Sequence, residues 1–252
     1  MKLLHFDLET APNKVYAWGL WKQNIAINQI EEPGYTMCFA AKWEGSKEVI
    51  FDSFWKSGFE AMLEHAWELL NEADAVIHYN GKKFDIPVLN WEFVQQGWEP
   101  PDPYHQIDLY QVVKQRFRIP SNKLDYVAKM LGFEGKIQHK GMDLWKECMD
   151  GDKKSQKEME LYNRQDVILL PKVYKKLLPW IKNHPNHALY MDTDRPVCPN
   201  CGSEHVIKKG TETTLTMQYQ RYRCADCLTP IRGRSTVTSQ EKKSHILTQS
   251  KL

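Results

Sequence analysis

The stretch LLHFDLET, residues 3–10, sets two acids inside an otherwise apolar strand pattern. Alternate side chains of a β-strand point to opposite faces. Leu4, Phe6 and Leu8 therefore share one face, and His5, Asp7 and Glu9 the other. Two carboxylates two residues apart in a strand lie roughly 6.5 Å apart. At an effective dielectric near 20 they repel by about 2.5 kcal/mol. Apolar residues on both sides of the pair predict a central strand, so something cationic is expected to offset the repulsion. Read alone, the stretch also allows an exposed turn with two solvated acids.

The segments that follow set the fold class. Residues 35–43 (YTMCFAAKW) and 47–54 (KEVIFDSF) read as two further strands of a meander. Residues 58–73 carry Phe59, Met62, Leu63, Ala66, Trp67 and Leu70 at helical spacing. DAVIHYN (74–80) is a short buried strand, and FDIPVLNWEFVQQG starts a helix with Pro87 in its first turn and Gly97 at its end. HQIDLY is a strand or strand end, and SNKLDYVAKMLGF a helix with Ser121 or Asn122 as cap. A long helix covers 155–181, bent or interrupted at Pro171. Strands first, then strands alternating with helices, predict an α/β fold with a mixed sheet flanked by helices.

The chain's 252 residues allow one large domain, or a medium domain plus a small one, and 42% apolar content supports a real core. The net charge of +2 is unevenly placed. Residues 192–252 hold ten Lys or Arg against six Asp or Glu, leaving 34 − 10 = 24 basic and 32 − 6 = 26 acidic residues before them. A basic tail on an acidic body fits a body that holds metal and a tail that holds a polyanion. MKLLHFDLE meets two acids before any apolar run of signal-peptide length forms, and no run has membrane-spanning length. The expected location is the cytoplasm (the host's, for a phage-encoded protein), with no membrane partner. Cys38 and Cys148 sit in apolar or helical contexts and read as packed thiols. The tryptophans of WGLWKQ, near residue 20, read as packing residues.

Two further acidic positions matter. Asp85, in HYNGKKFD (78–85), follows a buried strand and a Gly turn, at the sheet edge where α/β sites gather. Read alone, it is a helix-start residue favoured by the helix dipole. In YNRQD, Tyr162 and Asp166 are four residues apart and share a helix face. Read alone, Tyr162 is a core residue and Asp166 a solvated one.

Taken together, the three stretches resemble the DEDD superfamily of 3′–5′ exonucleases, which has a ribonuclease H-like fold. Asp7 and Glu9 match its Asp-x-Glu motif. Asn80, Phe84 and Asp85 match its second motif, and Tyr162 and Asp166 its Tyr-x3-Asp motif. The tyrosine marks the subclass that includes the proofreading domains of family B and family A DNA polymerases. The resemblance covers roughly residues 1–180. What remains is too short for a polymerase domain, which implies a stand-alone exonuclease of the polymerase-B-proofreading type.

That resemblance implies hydrolysis of phosphodiester bonds from the 3′ end with two Mg²⁺ or Mn²⁺ ions. Single-stranded DNA is the favoured substrate over RNA. Asp7 is expected to bridge both ions, Glu9 and Asp166 to hold the ion that activates water, and Asp85 to help hold the second. Tyr162 is expected to position the attacking water. Asn80, Phe84, Lys82 and Lys83, with Tyr79 in the same loop, are candidates for contact with a strand end; Phe84 is alternatively a packing residue, and the lysines solvated turn residues. Competing classes are a non-catalytic nucleic-acid-binding module and a ribonuclease H-like endonuclease.

After residue 182 the composition changes. KNHPNHALYMDTDRPV, up to residue 197, reads as a linker. CPNC (198–201) and CADC (224–227) are separated by 22 residues. This spacing predicts a ribbon in which Cys198, Cys201, Cys224 and Cys227 surround one structural Zn²⁺, over 198–233. The intervening TTLTMQYQRYRC fits a hairpin arm. Arg221 and Arg223, with Tyr222, Arg232 and Arg234, are placed to grip a phosphate backbone. The alternative is a structural ribbon that docks a protein, such as a replication or recombination factor. Residues 234–252 have too little apolar content for a core and are expected to be disordered.

Overall fold

The computed structural model describes residues 1–135 and 140–250. Its strands are β1 (Leu3–Thr10), β2 (Lys14–Val15), β3 (Ile30–Glu32), β4 (Thr36–Trp43), β5 (Ile50–Ser53), β6 (Ala75–His78), β7 (His105–Asp108), β8 (Val206–Thr213), β9 (Gln218–Cys224) and β10 (Pro230–Thr236). Its helices are α1 (Phe54–Ser57), α2 (Phe59–Glu72), α3 (Asp85–Gln95), α4 (Leu109–Arg116), α5 (Leu124–Met130), α6 (Met142–Met149), α7 (Lys153–Leu177) and α8 (Gln240–His245). The chain divides into two compact units, Lys2–Tyr174 and Lys175–Leu252 with Met1. The division falls inside α7, earlier than the composition change after residue 182 suggests.

The larger unit is built on a five-stranded sheet of order β5-β4-β1-β6-β7. The β1–β4 and β4–β5 pairs are antiparallel, whereas β1–β6 and β6–β7 are parallel. Strand β1 is thus central, as its apolar pattern predicts. Its two faces separate as the alternation requires. Leu4 and Phe6 join Met62, Leu63, Ala66 and Leu70 of α2 and Leu89 and Phe93 of α3 in one core, with Leu8 packed against it. Each fully buried Leu, Phe or Met among them stabilises the fold by about 1.5–3 kcal/mol. On the other face, His5 and Asp7 meet α7: the His5 and Tyr174 rings lie 5.7 Å apart, and Asn163 reaches Asp7.

Two anchors fix the helices that carry acids. Helix α3 is tied to β4 by Glu92, which accepts hydrogen bonds from the Thr36 backbone N–H at 2.7 Å and the Thr36 hydroxyl at 2.5 Å. Burial raises the Glu92 carboxyl above its ordinary value, against these two bonds. Helix α7 is held over β5 by Arg164, whose guanidinium stacks 5.3 Å from the Phe51 ring and donates to the Val49 carbonyl.

Some local expectations change. Helix α7 runs without a break through Pro171. Its buried stripe, including Val167, Leu170, Val173 and Tyr174, outweighs the lost backbone hydrogen bond. Helix α5 is capped by neither Ser121 nor Asn122. It starts after Lys123, and Ser121 Oγ instead accepts from the Lys123 N–H at 3.3 Å.

In the smaller unit, β8, β9 and β10 form an antiparallel sheet of order β10-β9-β8. Residues 206–224 form the expected hairpin. The stretch expected to act as a linker holds a short 3₁₀ turn, His187–Tyr190, whose Asn186 side chain accepts from the Ala188 N–H. The stretch from 234, expected to be disordered, holds the end of β10 and helix α8. Polar capping supplies what apolar burial does not. Thr238 Oγ1 accepts from the Gln218 N–H at 2.8 Å, and Ser239 Oγ from the Lys242 N–H at 3.2 Å. Among the described residues, no helix is long and apolar enough to cross a membrane.

Candidate active site and cysteine cluster

The acidic site forms where β1, α3 and α7 converge. Asp7 and Glu9 project from one face of β1, and Asp166 comes from the buried stripe of α7. One carboxylate oxygen from each lies within 4.8 Å of the other two. Asp85, the first residue of α3, reaches the same strand from the side: its Oδ1 accepts from the Leu8 N–H at 3.0 Å. Asp7, Glu9 and Asp166 thus form one group, and Asp85 lies against the same strand at Leu8. Three carboxylates this close repel one another unless cations or protons intervene.

A residue the sequence reading did not single out completes this arrangement. Asn163 is fully buried, and its Nδ2 donates to Asp7 Oδ2 at 2.7 Å. Asn163 lies one position after Tyr162 and three before Asp166, so the helical period puts it on the sheet-facing side. Tyr162 is itself buried, and its ring lies 6.3 Å from the edge-on ring of Trp145.

The loop before α3 is shaped by close approach. A Cβ on Gly81 would lie 2.7 Å from the His78 ring and 2.8 Å from Asp85 Oδ2, so only glycine fits. Asn80 has φ +74°, and its backbone N–H donates to Asp108 Oδ1 at 2.9 Å. Asp108 also caps α4 through the N–H groups of Tyr110 and Gln111. Burial holds the neighbouring His78 imidazole below its ordinary pKa, with Asp108 and Gln106 pulling the other way.

The candidate contact residues separate in this loop. Lys82, Lys83 and Phe84 are exposed. Phe84, at 63% exposure, does not pack under the helix. Tyr79 is not a free stacking face: its hydroxyl donates to the Asn122 carbonyl at 2.6 Å, and its ring packs edge-on against Tyr110. Burial pushes the Tyr79 hydroxyl pKa up.

In the smaller unit the four cysteines of the paired motifs lie together, their sulfurs all within 4.8 Å of one another. The Cys198–Cys227 and Cys201–Cys224 sulfurs are 3.5 and 3.6 Å apart. A disulfide needs about 2.05 Å. Thiolates around a tetrahedral Zn²⁺, with bonds of about 2.3 Å, stand about 3.8 Å apart, so the cluster fits that ion. Burial pushes the Cys198 thiol up to about 11. Cys224 is brought down to about 7, because the N–H groups of Cys227 and Asp226 outweigh its burial. The first knuckle is fixed by Asn200, whose Nδ2 donates to the Leu178 carbonyl at 2.9 Å. Cys38 and Cys148 are buried thiols, as expected.

On the ribbon sheet, Arg221 and Arg232 sit directly opposite each other. Arg221 Nε donates to the Lys209 carbonyl and Arg223 Nη1 to the Leu228 carbonyl. The Arg232 guanidinium lies 4.6 Å above the Tyr219 ring.

A family model described as the RNase_H superfamily matches residues 4–178, well over half of the chain, and the protein belongs to that superfamily. Among 152 matching chains of solved structures is the family B DNA polymerase from the hyperthermophilic archaeon Pyrobaculum calidifontis. That match has a TM-score of 0.55 and 17% sequence identity and covers 71% of this chain, so it shows a shared fold. The matched part spans 24% of the polymerase chain. No curated protein matches significantly.

Proposed function

We propose that the protein is a metal-dependent 3′–5′ exonuclease that hydrolyses phosphodiester bonds, with single-stranded DNA favoured over RNA. The observation that carries this reading is the convergence of Asp7, Glu9 and Asp166 within 4.8 Å, on a ribonuclease H-like sheet. The family B DNA polymerase with the same fold supports the preference for DNA. Hard carboxylate oxygens suit Mg²⁺ or Mn²⁺, and Asp7, Glu9, Asp85 and Asp166 would hold two such ions. When bound, these ions supply an activated water and neutralise charge on the phosphate.

The chain's own groups do the positioning. Asn163 holds the Asp7 carboxylate in one orientation. The Leu8 N–H does the same for Asp85. Tyr162, one helical turn before Asp166, orients the attacking water through its hydroxyl. Phe84, Lys82, Lys83 and the amide of Asn80 line the approach of the strand end. In the smaller unit, Cys198, Cys201, Cys224 and Cys227 would hold one Zn²⁺ with no open position, a structural role. Arg221 and Arg223 contact nucleic-acid phosphates.

The test uses purified protein with 5′-labelled single-stranded DNA and RNA of one sequence, in Mg²⁺, Mn²⁺ and EDTA, beside Asp7→Ala. The expected result is a metal-dependent ladder shortening from the 3′ end, stopped by a 3′ block and absent in the variant. No shortening, or equal shortening by Asp7→Ala, overturns the reading.

A further inference from the structure

The tryptophans of WGLWKQ do not pack, contrary to the reading of the sequence. They sit on an arm that leaves the sheet immediately after the acid-bearing strand. Strands β2 and β3 pair at its base, where Lys14 bridges Glu31 and Glu32 and the Tyr16 hydroxyl donates to Glu31 at 2.7 Å. The Tyr16 N–H donates to the Gln29 carbonyl, and the Gln29 side chain returns a bond to the Tyr16 carbonyl. The base is therefore a closed, hydrogen-bonded stem. Beyond it, Trp18 is 98% and Trp21 84% exposed, and Leu20 and Ile27 are exposed too. Large apolar groups held out on an ordered stem mark a surface used for contact.

Position and ring chemistry identify the occupant. The unit that carries the arm is rich in acids, yet residues 10–30 contain none, and Lys14 and Lys22 are their only charged groups. Beyond the stem, where Lys14 is paired with Glu31 and Glu32, the arm carries one cation, Lys22, and no acid. Two clefts lie between the base of the arm and α6. One, of about 290 Å³, is lined by Thr10, Pro12, Gly141, Met142 and Trp145, and Trp145 packs on Tyr162. The other, of about 630 Å³, shares Pro12 and Met142 and includes Lys14 and Lys146 beside Glu32 and Asp150. The lane that starts at Thr10, next to Glu9 in β1, thus has apolar walls of Pro12, Met142 and Trp145 and carries charges of both signs where it meets the stem. Flat indole rings at the end of such a lane suit unpaired bases, which stack on aromatics without sequence preference.

We propose that the arm is a stacking platform for the single strand being shortened, with Trp18 and Trp21 receiving unpaired bases several nucleotides from the 3′ end. This rests on the exonuclease reading above. The platform acts on affinity for long strands and leaves the chemical step alone.

The test compares wild type, the Trp18→Ala/Trp21→Ala double variant and the corresponding double Phe variant. Binding of a 5′-fluorescein 15-nucleotide single-stranded DNA is read by anisotropy in EDTA. Cleavage of the 15-mer and of a trinucleotide is read in Mn²⁺. The Ala variant is expected to weaken binding, and to raise KM, for the 15-mer by about tenfold or more, with kcat and trinucleotide cleavage unchanged. The Phe variant is expected to recover most of the loss. Unchanged 15-mer binding and KM in the Ala variant overturn the platform while leaving the exonuclease intact. Binding weakened in the Ala variant of a protein that cleaves nothing supports the platform and rejects the exonuclease. A sedimenting dimer that the Ala variant disperses, with 15-mer binding unchanged, overturns the platform in favour of self-association.

Discussion

Asn163 Nδ2 donates to Asp7 Oδ2 at 2.7 Å, joining the first strand to the last long helix of the larger unit. An acid that would hold a cation while facing two other acids needs its orientation fixed from outside the cluster. Asn163→Ala removes that bond and leaves the four acids in place. Groups that orient metal ligands are typically worth 10–100-fold. Cleavage by Asn163→Ala is expected to fall by about that factor, with the Mn²⁺ activation curve shifted to higher concentration. Steady-state rates across a Mn²⁺ titration check this; an unshifted curve at the wild-type rate would falsify the orienting role.

Asp7→Asn keeps the acceptor for Asn163 and removes one charge from a crowded cluster. Without divalent ions the variant is expected to be at least as stable as wild type, by up to about 2 kcal/mol. Added Mn²⁺ should stabilise wild type and leave the variant nearly unmoved, while cleavage by the variant is lost. Urea unfolding in EDTA and in Mn²⁺ reads this crossing.

Cys224→Ser takes one ligand from the ribbon. Bound zinc is expected to drop from about one per chain to near zero, because a three-thiolate site loses most of the binding energy that folds so small a unit. Proteolysis should then cut readily within 198–236, whereas trinucleotide cleavage by the larger unit persists. Metal analysis and limited proteolysis together check this.

His78 supplies a pH dependence with a defined sign. Its folded-state pKa is lowered, chiefly by burial, below the ordinary value of about 6.5. Its contribution to stability is therefore complete above 6.5 and is lost as the pH falls through that value, because the unfolded chain takes up a proton that the folded one refuses. His78→Gln is expected to lose less stability between pH 7.5 and 5.5 than wild type. Denaturation at the two pH values measures the slope, and equal slopes would exclude His78 as its source.

The architecture was legible where periodicity was strong. The two faces of β1, the stripe of α2 and the strand–helix alternation carry their partners in their own spacing. The acids were legible because each sits at a predictable place: mid-strand, helix start, helix face. Asn163 was not, because its role is set by where α7 crosses β1, which no local pattern encodes. The exposed tryptophans were misread for a related reason, since a large aromatic side chain is by default a core residue. The order after residue 234 comes from hydroxyl capping, which leaves no apolar trace. Helix α6, Met142–Met149, is short and sits beside residues of mixed polarity, so its pattern did not stand out.

The distance in sequence between Asp7 and its partners has a consequence for the protein's making. Both Asn163 and Asp166 lie more than 150 residues after Asp7. At roughly 5–20 residues per second, synthesis separates the first acid from the last by about 8–30 s. Throughout that interval the nascent chain carries an acid strand whose α7-facing side is uncovered. The cluster of Asp7, Glu9 and Asp166 therefore cannot assemble on a ribosome that has made only β1 to α6. A message truncated before α7 yields a fragment without Asn163 and Asp166, and the three-acid cluster forms only when nearly all of the larger unit exists.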